Sequence, residues 1–211
     1  MKREERNILS KQRILDAAME EFSKKGYEGA SLNTACAEKG ISKGILYHYF
    51  QGKDDLYLLC VETCFNAVTA YLKTVAEAPG GTPEARLRNY FDARLRFFAG
   101  HPLYFGIFAD ASFRPPTKLL PEIEARRREF DALNISVLTA LLNSGPLRSG
   151  LSVQAIVEDF RTYMDFFNMR FQAALPQGCS TETVLQEHEE RCHRQLDILL
   201  HGVLEETYAN S

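Results

Sequence analysis

The chain has 211 residues, 45% hydrophobic and 11% aromatic, enough to bury a core in one domain or in one domain plus a small module. No apolar run of about 18 residues occurs, and the charged start Met-Lys-Arg-Glu-Glu-Arg leads into no apolar signal region, so a cytoplasmic protein without a spanning helix is expected. The net charge of −3 speaks weakly against nucleic acid as a partner, but its distribution matters more: residues 1–60 hold 10 Lys/Arg against 9 Asp/Glu, and the stretch from Lys39 to Lys53 holds three lysines and no acid.

Apolar residues recur at spacings of three and four, and Gly/Pro clusters punctuate the chain, which predicts about nine helices and no strands. The first runs from Ser10 to Lys25 with Ile14, Ala18 and Phe22 on one face, and Gly26 stops it. Ser31 caps a short second helix ending near Lys39, and Ser42 caps a short third helix through Tyr49. Asp54 and Asp55 open a long fourth helix, since acids suit a helix N-terminus. Later helices are predicted over 83–99, 102–112, 118–143, 152–175 and 181–207. The helix over 152–175 is apolar around much of its circumference (Val153, Ile156, Phe160, Met164 and Phe167, widened by Tyr163 and Phe166) and needs cover on more than one side.

The informative segment is Ser31 to Leu56. Two short helices joined by Gly40-Ile41-Ser42 make a helix-turn-helix: Gly40 takes the positive φ of the sharp turn, and Ile41 tucks between the helices. Leu46 and Phe50, four apart, point into a small core and leave Lys43, Gly44, Ile45, Tyr47, His48 and Tyr49 on outward or flanking faces. A helix built only for packing rarely exposes two tyrosines, a histidine and a lysine together. A major-groove reader does, because hydroxyls and lysines donate to phosphate while small or apolar side chains meet base edges.

The run from Ile41 to Phe50, with Lys53 and Leu56 behind it and Gln12 to Phe22 and Gly26-Tyr27 ahead of it, resembles the recognition-helix signature of TetR-like regulators. The resemblance covers about the first quarter of the chain. It implies an all-α fold: a three-helix DNA-binding domain over 1–53, then a helical ligand-binding and dimerisation domain over 54–211. It implies that Lys43, Gly44 and Ile45 approach bases and nearby phosphates, that Tyr47, His48 and Tyr49 contact phosphates or bases, that Lys53 binds phosphate, and that Ser31 and Asn33 anchor the backbone on the other side. Gly52 departs from the polar cap often found there, and Ile45 offers a base only apolar contact. The resemblance further implies a homodimer through the helices at 152–175 and 181–207, a near-palindromic double-stranded operator, and a small-molecule effector that releases a repressor.

Aromatic residues crowd the middle of the chain and one later helix, which makes a mostly apolar or aromatic effector the expectation. Phe91, Phe98, His101, Phe105, Phe108, Asp110, Tyr163 and Phe167 are the candidate pocket residues, and Asn134, Asn168 and Arg170 are further polar candidates. The alternative is a regulator activated by its ligand or by thiol oxidation. Of the five cysteines, Cys60 and Cys64 share a helix face but read first as small buried hydrophobes, as does Cys36; Cys179 and Cys192 complete the set. His188 and Cys192 have a metal-compatible spacing, yet the charged residues around them read as a solvated helix. No Gly-rich phosphate loop, nucleophile elbow or zinc-protease pattern is present, so neither an enzyme nor a cofactor is expected.

Overall fold

The computed structural model describes residues 3–174 and, beyond them, residues 186, 187, 190–192, 194, 195, 197, 198 and 202. Its regular elements are helices: α1 (Arg3–Gly29), α2 (Leu32–Glu38), α3 (Lys43–Tyr49), α4 (Lys53–Ala76), α5 (Pro83–Gly100), α6 (Pro102–Phe113), a single 3-10 turn (Thr117–Leu119), α7 (Leu120–Leu142) and α8 (Val153–Ala174). The helix expected over 181–207 lies largely outside the described residues. No helix among the described residues is long and apolar enough to cross a membrane.

Helix α1 starts well before the expected Ser10. Apolar periodicity reports burial, and the first turns bury nothing large: Ile8 is 66% and Leu9 51% exposed. The buried face begins at Ile14 and continues through Ala18 and Phe22. Gly26 then breaks the helix at φ 65, ψ −180, a conformation open almost only to glycine.

The chain packs as two compact units, one made of residues 1–67 with 98–128, the other of residues 68–97 with 129–211. The expected division at 53/54 falls at the first residues of α4, inside the first unit.

In the first unit α1 packs against both α2 and α6. Every residue of α6 from Phe105 to Phe113 is buried, so this stretch of the helix is enclosed all round. Its Gly106 lies against α1 so closely that a Cβ would overlap the backbone of Ser23. In the second unit, Leu87, Leu138, Leu141, Leu142 and Ile156 form an aliphatic core, with Phe91, Val153 and Phe160 packed around it. Tyr90 donates to Asn134 Oδ1 at 2.8 Å within the same unit.

Candidate nucleic-acid interface

The turn between α2 and α3 is fixed by local chemistry. Gly40, at φ 68, follows α2, and the Ile41 amide donates back to the Cys36 carbonyl at 2.8 Å while the Gly40 amide donates to Ala37 at 3.0 Å. This pair of bonds is a Schellman motif, which satisfies carbonyls a helix end leaves open and requires the left-handed residue that glycine supplies. Ile41 is buried. Ser42 then caps α3: its Oγ accepts from the Ile45 amide at 3.3 Å, and its carbonyl accepts from Leu46 at 3.1 Å. Ser31 precedes α2 without a side-chain bond to that helix's backbone; its Oγ instead lies 2.9 Å from Thr34 Oγ1.

Leu46 and Phe50 point into the core, at 1% and 8% exposure, as the four-residue spacing requires. The rest of α3 faces outward: Lys43, Gly44, Ile45, Tyr47 and His48 are exposed and Tyr49 is half-buried. The Lys43 ammonium lies 5.8 Å from the Tyr47 ring centroid, and the His48 and Tyr49 rings meet edge to face at 4.8 Å. Ser31 and Asn33 are exposed at the start of α2. Lys53 is half-buried at the start of α4, where its ammonium donates to the Glu28 carbonyl at 3.3 Å and sits 4.7 Å from the Tyr27 ring centroid. The structure thus gathers six of the expected contact residues on α3 and sets Lys53 beside the end of α1.

Two features around this surface are not evident from the sequence. The first turns of α1 reach the end of α3: the Tyr49 hydroxyl donates to Asn7 Oδ1 at 2.8 Å, and the Lys11 ammonium lies 5.8 Å from the Tyr49 ring centroid. The end of α1 is also gripped twice through Tyr27. Its amide, freed by the break at Gly26, donates to Asp110 Oδ2 at 2.8 Å, and the same oxygen accepts from the Tyr57 hydroxyl at 2.8 Å. Its hydroxyl donates to Asp54, which Lys118 holds with bonds of 2.7 and 2.9 Å. The Lys118 bond, with help from Tyr27, holds the Asp54 carboxyl below its ordinary value. Burial raises the Asp110 carboxyl, partly offset by the donations from Tyr57 and the Tyr27 amide.

Asp110, expected among ligand-facing groups, is therefore tied to α1 and α4. Phe98, Phe105 and Phe108 are buried against one another, with the Phe98–Phe108 centroids 4.7 Å and the Phe98–Phe105 centroids 5.7 Å apart. His101 is exposed at the start of α6, stacked on Tyr104. Phe91, Tyr163 and Phe167 lie in the second unit, half-buried, with the last two stacked at 6.0 Å. The side chains of Asn168 and Arg170 lie outside the described residues.

A cavity of about 320 Å³ opens in the second unit between the end of α4, α5 and α7, lined by a different set of side chains. Val75, Leu87, Tyr90, Leu133, Val137, Ala140 and Leu141 make its apolar walls, and Lys73, Glu77, Arg86, Ser136 and Ser144 supply polar groups. Arg86 donates to the Ala76 carbonyl at 2.9 Å, and Lys73 pairs with Glu129.

Cys36, Cys60, Cys64 and Cys192 are buried free thiols, and desolvation pushes the first three up, away from the reactive thiolate. Cys179 and His188 lie outside the described residues.

Residues 14–60 match the model of a family described as bacterial regulatory proteins, tetR family. The chain is 37% identical over 62 residues to IcaR, the biofilm operon HTH-type negative transcriptional regulator of Staphylococcus epidermidis; the match spans 29% of this chain and 34% of that relative. It is 27% identical over 143 residues to an HTH-type transcriptional regulator of Lactococcus lactis, covering 63% of this chain and 71% of the relative. Among solved structures it resembles FadR of Bacillus subtilis, a transcriptional regulator in complex with stearoyl-CoA, with a TM-score of 0.58 and 18% identity over 85% of this chain and 95% of that one.

Proposed function

We propose that the chain, whose residues 14–60 match the tetR family of bacterial regulatory proteins, is a transcriptional repressor that binds a near-palindromic DNA operator as a homodimer and is released by a small effector. The observation that carries this reading is α3 itself. It is a capped seven-residue helix whose buried Leu46 anchors it while Lys43, Ile45, Tyr47 and His48 stand exposed. Lysine and tyrosine hydroxyls serve the phosphates; Ile45, 45% exposed, serves an apolar base edge such as a thymine methyl. Ser31, Asn33, Gly44, Tyr49 and Lys53 complete the contact surface, with residues 1–53 as the reading domain.

One such helix reads only a half-site. Two must reach successive major grooves, about 34–36 Å apart, which calls for a dimer. Phe166 on α8 is 56% exposed with Tyr163 and Phe167 half-buried beside it, which supports α8 as part of the dimer interface.

For the effector, the cavity between α4, α5 and α7 is the best-supported site. Its volume sits near the lower end of the ~300–1,000 Å³ usual for ligand pockets, and its mostly apolar lining suits a small apolar or aromatic molecule with one or two polar groups. Small-molecule control as a class is further supported by the stearoyl-CoA bound to the Bacillus subtilis structural relative. Helix α4 carries Lys53 at one end and cavity-lining Lys73 and Val75 near the other, so it is the natural lever. A coupling of roughly 1–3 kcal/mol changes operator affinity about 5–150-fold. Thiol oxidation is the weaker alternative, because the described cysteines are buried.

The test is capture of source-genome fragments on the purified protein at moderate salt. One near-palindromic site is expected; retention without sequence preference overturns the reading.

A further inference from the structure

The family match begins at residue 14, yet α1 begins at Arg3. The intervening turns contribute little to the core: Asn7, Ile8, Leu9 and Lys11 are all exposed. They are nevertheless tied to the reading helix. Positions 7 and 11 share a helix face, and both meet Tyr49, one through a 2.8 Å hydrogen bond and the other across 5.8 Å to its ring. The charge is right for an anionic partner, since residues 1–13 carry Lys2, Arg3, Arg6, Lys11 and Arg13 against Glu4 and Glu5. Tyr49 lies at the end of α3, so a helix docked on it borders the groove that α3 enters.

We propose that the first turns of α1 form a second DNA-contacting element, in which Lys11 and Asn7 contact the sugar-phosphate backbone flanking the half-site read by α3. This rests on the operator-binding reading above and extends it to residues the family match does not cover. Lys11 supplies the charge, and the Tyr49 bond orients the Asn7 amide so that its NH2 group faces away from the tyrosine and remains available as a donor. Such contacts position the protein and carry little base information.

The experiment measures binding of wild-type protein, Lys11→Ala and Lys24→Ala to the captured operator across a salt series, with hydroxyl-radical footprints. Lys24 is an exposed lysine on the same helix and controls for simple loss of charge. Lys11→Ala is expected to lower the slope of log affinity against log salt by about one unit per protomer. It should also lose protection at the outermost backbone positions while keeping the centre of each half-site. Lys24→Ala should match the wild type. An unchanged slope and footprint in Lys11→Ala, with the wild type binding normally, overturns this inference and leaves the operator reading standing. An equal loss in Lys24→Ala overturns it too. If the wild type binds no duplex, both fall together.

Discussion

The two compact units use their polar groups and glycines differently. In the first, Asp110 ties α6 to the Tyr27 amide, Lys118 ties the turn after α6 to Asp54, which accepts from the Tyr27 hydroxyl, and Gly106 brings α6 against the backbone of α1. In the second, the described core is an aliphatic cluster beside an open cavity, and the cavity's polar groups sit around apolar walls. On the proposed function the difference has a reason: a helix that reads DNA must be held firmly in place, whereas an effector pocket must leave room.

The comparison breaks first at glycine. Gly106→Ala would put a methyl group into the backbone of Ser23, which cannot step aside without moving α1. We expect unfolding free energy to fall by about 3 kcal/mol. Gly145, in the second unit, has open space where an added methyl group would stand, with nothing within 4 Å, and Gly145→Ala should stay within about 0.5 kcal/mol of wild type. Chemical denaturation of both variants decides this; equal losses would deny that close approach distinguishes the first unit.

Next comes Asp110. Asp110→Ala leaves the Tyr27 amide and the Tyr57 hydroxyl without their acceptor and should cost about 2–3 kcal/mol. The pH dependence has a definite sign. Burial holds the folded carboxyl above its ordinary 3.8, so the folded chain binds this proton more tightly than the unfolded one. The resulting contribution is fully present below 3.8 and is lost as pH rises through the higher folded value. Asp110→Asn removes that loss, so its stability relative to wild type should improve as pH rises from below 3.8. A stability difference independent of pH would show that Asp110 does not titrate differently on folding.

How much of this is legible in the sequence follows the reach of each interaction. The α2–α3 turn can be read because its parts are neighbours: Gly40 supplies the turn, Ser42 the cap, and Leu46 and Phe50 the anchoring face. Asp110 cannot, since its partners Tyr27 and Tyr57 lie 83 and 53 residues away. An acid in an apolar helix suggests a pocket group equally well from spacing alone. The start of α1 is hidden because exposed Ile8 and Leu9 break the burial pattern that marks helices. The cavity depends on how α4, α5 and α7 meet, which no local pattern encodes.

On the reading surface the effects are on affinity. Lys53→Ala should weaken binding to all duplexes and reduce the salt slope by about one unit per protomer. Ile45→Ala should instead alter base preference with the slope kept, because Ile45 carries no charge. Binding-site selection on both variants separates the roles; identical preference profiles would reject the division.

The smallest effect is expected at the cavity. Ala140 lines it from an exposed position on α7, so Ala140→Trp can project bulk into the space without displacing the aliphatic core. Stability should change by less than about 0.5 kcal/mol, and operator affinity without ligand should not change. The readout is titration with anilinonaphthalene sulfonate, an aromatic probe with one anionic group that suits apolar walls edged by Lys73 and Arg86. Wild type should bind it and lose operator affinity as it does so, and Ala140→Trp should bind it more weakly and retain the operator. Equal dye binding by both proteins would place the dye elsewhere than this cavity. Weaker binding without any change in wild-type operator affinity would keep the cavity as a binding site while separating it from control of the reading helix, because a ligand shifts an equilibrium only by its difference in affinity for the two states.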